Sequence, residues 1–170
     1  MRVFPGTDEY DIPRELSVCF SGHRPDKLPW GSRESDDRCA EFCRKLEREI
    51  VRAYKQGARY FLSGMADGVD TIAAEAVLRL SVFYPEIRLI AVFPYGTGDS
   101  SRKRSIAERA YGVVSLNGSY VTACYSERNR FLVRHSKRLI CCSNGDMRTG
   151  TGMTLRMAGE EGLDIVIINV

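Results

Sequence analysis

The sequence lacks any apolar run that approaches the ~18 residues needed to span a membrane as a helix. Its N-terminal segment, Met1–Leu16, contains acidic residues and prolines but no apolar stretch of the signal-peptide kind. It also lacks a strong charge of either sign, because 25 lysines and arginines stand against 22 acidic residues. The net charge of +3 neither requires nor excludes nucleic acid. The sequence therefore predicts a cytoplasmic protein with no membrane partner.

The six cysteines include no C-x-x-C pair, which removes the commonest spacing of zinc and dithiol redox sites. Most of them fall within apolar runs, so we predict reduced thiols that pack as small core residues. No metal site is predicted. The composition, 44% hydrophobic and 28% charged, is typical of an ordinary globular protein, and 170 residues correspond to one domain.

The sequence does contain a regular alternation of short apolar runs and segments with helical periodicity. The apolar runs predict strands at 16–21, 58–62, 88–93, 112–116, 138–142 and 164–170. The periodic segments predict helices from a cap at 35–37 to residue 57, and at 68–80, 100–111, 126–136 and 152–162. Continuously apolar strands are typical of a parallel sheet covered on both faces. We therefore predict one α/β domain over 1–170, a three-layer α/β/α sandwich with a Rossmann-like, mostly parallel sheet, in which 1–15 form a short N-terminal extension.

Four unusual segments follow predicted strands, at the sheet edge where such folds bind ligands. They are Ser21–Pro25, Ser63–Gly68, Pro94–Gly96 and Asn144–Thr154. Glycine before a helix lets a ligand approach the backbone, and the helix N-terminus offers free N–H groups, so together they favour phosphate. The alternative for each loop is a tight turn without a ligand. Neither Gly-rich loop fits the dinucleotide fingerprint G-x-G-x-x-G or the P-loop pattern.

The residues predicted to contact a ligand come from these segments and from the helix at 126–136. They are Ser21, Gly22, His23, Arg24, Ser63, Gly64, Met65, Asp67, Asp70, Pro94, Tyr95, Arg128, Asn129, Gly150, Thr151, Gly152 and Thr154. Arginine pairs with phosphate through two parallel hydrogen bonds, which is the role predicted for Arg24. Arg128 is the arginine of its helix that we expect to face the ligand. The alternative for Arg24 is a surface ion pair with a neighbouring carboxylate.

The remaining polar candidates have both structural and functional interpretations. His23 would stack on a base or donate to phosphate, or lie exposed in its loop. Asp67 and Asp70 would cap the following helix or accept hydrogen bonds from ribose hydroxyls, and these two roles are compatible. Asn129 would line the pocket or tether a loop. The basic run 102–104 is interpreted as a solvated face, with steering of an anion or single-stranded nucleic acid as the alternative.

Several of these segments resemble motifs of the SLOG superfamily, in the same order along the chain. Ser63–Asp70 followed by two alanines is similar to the S-G-x-A-x-G-[IV]-D…A-A segment of the DNA-processing protein DprA. Arg128–Arg130 resembles its R-N-R segment, and Thr149–Arg156 its S-G-T-x-x-T-x-R stretch. Ser21–Leu28 is closer to the T-G-[HY]-[RK]-P-x-[KE]-L loop of the YpsA-like branch. The resemblance covers 16–170.

The resemblance implies a Rossmann-like fold whose Gly-rich loops bind or sense a nucleotide or nucleotide-derived ligand. No cofactor is required, a nucleotide-type ligand is the expected partner, and dimers or higher assemblies are implied. N-glycosidic hydrolysis is the first alternative. The phosphoribohydrolase branch has the signature P-G-G-x-G-T-x-x-E, which ends in a glutamate just inside the helix. Here the nearest glutamates, Glu160 and Glu161, lie about two turns further along the helix, ~10 Å away. Single-stranded nucleic-acid binding as in DprA is the second alternative, disfavoured by the modest charge and the absence of room for a further DNA-binding domain.

Overall fold

The alternating segments fold into strands and helices that lie close to their predicted positions. The computed structural model describes all residues from Met1 to Val170. The strands are β1 (Arg2–Phe4), β2 (Ser17–Gly22), β3 (Tyr60–Ser63), β4 (Arg88–Phe93), β5 (Gly112–Ser115), β6 (Arg138–Ser143) and β7 (Asp164–Asn169). The α-helices are α1 (Asp37–Lys55), α2 (Val69–Phe83), α3 (Ser101–Arg109), α4 (Cys124–Arg134) and α5 (Gly150–Glu160).

The strands form one seven-stranded sheet in the order β1-β5-β4-β3-β2-β6-β7, and every neighbouring pair is parallel. Successive side chains of a strand point to opposite faces of the sheet, so they pack in two separate cores. Phe20 and Phe61 pack in the core shared with α1, α2 and α3. Cys19 and Leu62 pack in the second core, with residues of α4 and α5. The predicted three-layer α/β/α sandwich is therefore confirmed.

The order of the strands reverses beside β2, and this reversal positions the site. From β2 the chain adds β3, β4 and β5 on one side, then crosses over to add β6 and β7 on the other. The helix after β2 and the helix after β6 consequently cover opposite faces of the sheet. A crevice forms between the carboxyl ends of two such strands, and ligands of open α/β sheets bind there.

The N-terminal segment, predicted only as an extension, is part of the sheet and of the core. Arg2–Phe4 forms an edge strand in register with Gly112–Val114. The side chains of Phe4, Tyr10 and Ile12 are buried in the second core. A strand of three residues is too short to show a hydrophobic period, so sequence patterning does not reveal it.

The cysteines behave as core residues. All six are free thiols, and only Cys43 is partly exposed. Burial raises the pKa of Cys19 and of Cys141 to about 12, so both thiols stay protonated and unreactive at neutral pH. No group of three or more His, Cys, Asp or Glu side chains lies close enough together to hold a metal ion. No helix has both the length and the hydropathy that a membrane span requires.

Candidate functional site

Two adjoining clefts lie at the carboxyl ends of the strands. The first, here the α5 cleft, has a volume of about 320 Å³ and lies between the end of β2 and the start of α5. The second, here the β4 cleft, has a volume of about 140 Å³ and lies beside the loop that follows β4. Their shared wall consists of Arg24, Ala66, Tyr125 and Arg128. A ligand in one cleft therefore borders the other.

Most of the predicted ligand residues line these clefts. The α5 cleft is lined by Ser21, Gly22, His23, Arg24, Asp70, Arg128, Asn129, Gly150, Thr151 and Thr154. The β4 cleft is lined by Arg24, Met65, Asp67, Pro94, Tyr95 and Arg128. Three of the predicted residues, Ser63, Gly64 and Gly152, line neither cleft. Their contacts lie within the protein, and contact of the other residues with a ligand stays a prediction.

The N-terminus of α5 presents unbonded amides to the α5 cleft. Thr149 caps this helix, since its Oγ1 accepts from the Gly152 N–H at 3.1 Å. The amides of Gly150 and Thr151 make no hydrogen bond within the protein. A Cβ at Gly150 would meet no atom within 4 Å, so this position faces open space. Free N–H groups and the positive end of the helix dipole make this an anion-binding position.

Gly152, two residues further on, has a different reason to be glycine. A Cβ there would lie 2.3 Å from the carbonyl oxygen of Met147. The missing side chain therefore lets α5 pack against the loop that precedes it, and it plays no part in opening the cleft.

The glycine-rich loop after β3 is occupied by the protein itself. The Val69 amide donates to the carbonyl of His23 at 3.2 Å, and the Ala66 amide donates to Oδ2 of Asp70 at 3.2 Å. Gly68 has a φ of +95°, and a Cβ there would lie 2.5 Å from the His23 carbonyl oxygen. The loop that follows β2 thus covers the start of α2. Of the two helix starts predicted to bind phosphate, the start of α5 is therefore the more open.

Gly64 leaves room for the side chain of Arg128, which crosses this loop. A Cβ at Gly64 would lie 2.6 Å from Cδ of Arg128. Nη1 of Arg128 donates to the Gly64 carbonyl at 2.6 Å, and Nε donates to Oδ1 of Asn129 at 2.9 Å. Nη2 has no hydrogen-bond partner in the protein. Asn129 thus both lines the cleft and orients the arginine.

Asp70 is a buried carboxyl in the wall of the α5 cleft. Burial raises its pKa above the ordinary value, and the positive charge of Arg128 opposes this rise. Burial likewise lowers the pKa of Arg128, and Asp70 opposes that change. The two side chains form no ion pair within 4 Å, so each stabilises the charge of the other at longer range.

Arg24 is exposed at the wall between the two clefts and pairs with no carboxylate. The surface ion pair considered as its alternative role is absent from the structure. Its guanidinium instead lies 5.5 Å from the ring centroid of Tyr125. This charge is therefore available to a ligand.

His23 is buried and ties two loops together, contrary to the exposed position considered for it. Its Nε2 accepts from the Asn144 N–H at 3.2 Å and lies 3.0 Å from Oδ1 of the same residue. Its Nδ1 lies 3.5 Å from Oγ1 of Thr151. The ring therefore holds the loop after β6 and the first turn of α5 against the end of β2.

Sequence reasoning missed several residues that line the clefts, and two of them, Lys103 and Tyr125, carry charge or an aromatic ring into the site. The sequence predicts one solvated face for the run 102–104, but Lys103 is buried in the β4 cleft. Its Nζ lies 3.2 Å from Asp67 and 2.9 Å from Asp99. Arg102 pairs instead with Glu34 and Glu75 on the surface. Side chains of neighbouring helical residues point about 100° apart. This spacing is the signal in the sequence that Arg102 and Lys103 do not share one face. Tyr125 was missed because α4 begins at Cys124, before its predicted start.

Comparison with known proteins gives one match. A model of the YspA SLOG family matches residues 18–169, from the start of β2 to the end of β7. The matched region includes every segment that lines the two clefts, and only the N-terminal segment with β1 precedes it. No curated protein matches the chain significantly.

Proposed function

The chain belongs to the YspA SLOG family, as its motifs predict, and from this we propose that it binds or senses a nucleotide or nucleotide-derived ligand. We place a phosphate of that ligand at the N-terminus of α5. One observation carries the proposal: the unbonded amides of Gly150 and Thr151 share a cleft with two arginines that no ion pair neutralises. Amides at a helix start and arginine forks are the groups that bind phosphate in proteins.

The charge of the α5 cleft supports an anionic ligand. Its basic residues are Arg24, Lys27 and Arg128, and its acidic residues are Asp26 and Asp70. The helix dipole of α5 adds further positive potential, so the cleft attracts phosphate.

Binding should appear as a rise in melting temperature on addition of AMP, NAD, ADP-ribose or cyclic nucleotides. A ligand that binds only the folded state stabilises it in proportion to the logarithm of its concentration over Kd. The screen names the ligand, and isothermal titration then measures its Kd. A chain that none of these compounds stabilises, at concentrations up to about 10 mM, contradicts the proposal.

Gly150→Val is expected to weaken binding of the compound found in that screen at least tenfold, roughly the effect of losing one charge-assisted contact. The valine side chain would start in the open space where we place the phosphate, and its Cβ would meet no protein atom within 4 Å. Gly159→Val is the matched control, because Gly159 lies in the same helix, away from the cleft, and a Cβ there also meets nothing within 4 Å. An unchanged Kd for Gly150→Val would remove the start of α5 from the site.

N-glycosidic hydrolysis is the second candidate, and Asp70 is the observation that favours it. A buried carboxyl with a raised pKa is suited to donate a proton to a leaving base. Neither cleft contains a glutamate, and Glu160 and Glu161 lie at the far end of α5. Release of free base from AMP, lost in Asp70→Asn, would support this activity, and AMP that stays intact would favour a binding protein.

Single-stranded nucleic acid has less support. The basic run 102–104 is divided between surface ion pairs and the β4 cleft, so it forms no continuous basic stripe. Retardation of oligo(dT) that moderate salt abolishes would nevertheless show such binding.

A further inference from the structure

Three tyrosines cluster at the mouth of the β4 cleft. Tyr95 follows β4, Tyr120 lies in the loop after β5, and Tyr125 lies in the first turn of α4. Their ring centroids are 5.9 to 6.4 Å apart, so each ring contacts the other two. Tyr120 is 59% exposed and Tyr125 is 39% exposed. Grouped exposed aromatic rings beside a cleft are typical of a surface that binds something planar or apolar.

Tyr125 also connects this tyrosine cluster to the two arginines. The guanidinium groups of Arg24 and Arg128 lie 5.5 Å and 5.8 Å from its ring centroid. Its ring lines both clefts. Aromatic rings and guanidinium planes are the surfaces on which proteins stack nucleobases. A base beside Tyr125 would thus lie next to the arginines that we assign to phosphate.

Two exposed carboxylates of the β4 cleft suit a group that donates hydrogen bonds. Lys103 is held between Asp67 and Asp99, and the other basic groups of this cleft are Arg24 and Arg128 on the shared wall. Both aspartate side chains are exposed, and their remaining oxygen lone pairs face solvent or ligand. Ribose hydroxyls and exocyclic amino groups donate to such oxygens. The β4 cleft thus offers hydrogen-bond acceptors and aromatic rings, whereas the α5 cleft offers the unbonded amides of a helix start.

We infer that the β4 cleft and the tyrosine cluster form the subsite for the base and sugar of a nucleoside phosphate whose phosphate lies at the start of α5. Tyr125 stands on the wall shared by the clefts, so one ligand spans both. The inference rests on the proposed function and makes it narrower, because it excludes a bare sugar phosphate as the preferred ligand. It also assigns Asp67 to the sugar side of the site.

Titration of the full chain with AMP and with ribose 5-phosphate tests the inference, since ribose 5-phosphate has a hydroxyl in place of the base. We expect AMP to bind the wild type about tenfold more tightly, the effect of one stacked base. Tyr125→Leu should reduce this preference to about one by weakening AMP and leaving ribose 5-phosphate unchanged. Tyr125→Phe keeps the ring and should keep the preference.

Two further variants keep the test decisive. Tyr120→Leu changes the most exposed ring of the cluster and is expected to weaken AMP selectively even if Tyr125→Leu fails to fold. Phe83→Leu is the matched control, since it removes an exposed ring at the end of α2 that lines neither cleft. Its preference for AMP should equal that of the wild type.

The outcomes separate this inference from the proposed function. Equal affinity of the wild type for the two probes would overturn the base subsite and leave the phosphate site standing. Failure of both probes to bind would overturn the base subsite, and the thermal screen with the other nucleotides would then decide the proposed function. A preference for AMP that survives in folded Tyr125→Leu and Tyr120→Leu would place the base elsewhere and overturn the role of the tyrosine cluster.

Discussion

Gly152→Ala is expected to lower the free energy of unfolding by about 3 kcal/mol, whereas Gly150→Ala should leave it unchanged or raise it by up to about 1 kcal/mol. At residue 152 the new methyl group would lie 2.3 Å from the backbone oxygen of Met147. That oxygen also accepts from Nη1 of Arg156 at 2.8 Å, so the loop cannot move away without losing a hydrogen bond. At residue 150 the methyl group meets nothing, and alanine favours the helix.

Urea unfolding of the two variants, followed by circular dichroism, measures the difference. Each glycine is the control for the other, because they lie two residues apart in the same helical turn. Equal losses of stability in both variants would show that the loop before α5 does not pack as described.

Arg128→Met is expected to lower the free energy of unfolding by about 3 kcal/mol at pH 7, the cost of leaving a buried charge without its partner. The variant loses the hydrogen bond to the Gly64 carbonyl and the positive charge that opposes the raised pKa of Asp70. The pKa of Asp70 in the folded state should then rise further.

The sign of this pH dependence follows from the direction of the shift. A carboxyl whose pKa is higher in the folded protein than in the unfolded protein takes up protons on folding. The folded state is therefore favoured at low pH and loses stability as pH rises through the folded pKa. Below about pH 4, the ordinary pKa of aspartate, Asp70 is neutral in both states and the lost charge has little effect. The difference between variant and wild type should therefore grow from pH 4 to pH 7.

Unfolding free energies measured at several pH values between 4 and 7 test this expectation. Arg130→Met is the matched control, because Arg130 lies on the exposed face of the same helix and its removal should change stability by less than about 0.5 kcal/mol. A loss in Arg128→Met that is the same at every pH would show that Arg128 acts through its hydrogen bonds and packing alone.

The sheet is the part of this protein that patterning predicts well. Runs such as Arg88–Phe93 are apolar at every position after the first because their alternate residues enter two different cores, and this excludes a strand that faces water on one side. The same reasoning cannot find β1, whose three residues take their place from pairing with β5. Nor can it order the strands, since pairing is decided between segments far apart in the sequence.

The candidate site was predicted in its composition more than in its geometry. The residues at the strand ends were predicted to meet at one edge, and most of them do. Tyr125 lies in the site because α4 begins at Cys124, before the start that the apolar spacing predicts. Lys103 lies in the site because neighbouring residues of a helix point in different directions. A count of basic residues treats them as one cluster.

The sequence by itself determined the α/β class, the sheet edge at which the two clefts lie and the family, because these follow from local period, from chain direction and from short ordered motifs. Only the tertiary structure decided which glycines open onto a cleft. Gly64, Gly150 and Gly152 look alike in the sequence, yet a side chain fills the space beside the first, nothing fills the space beside the second, and a backbone carbonyl fills the space beside the third. That difference depends on which distant atoms pack against each position, and contacts of this kind leave no local signal.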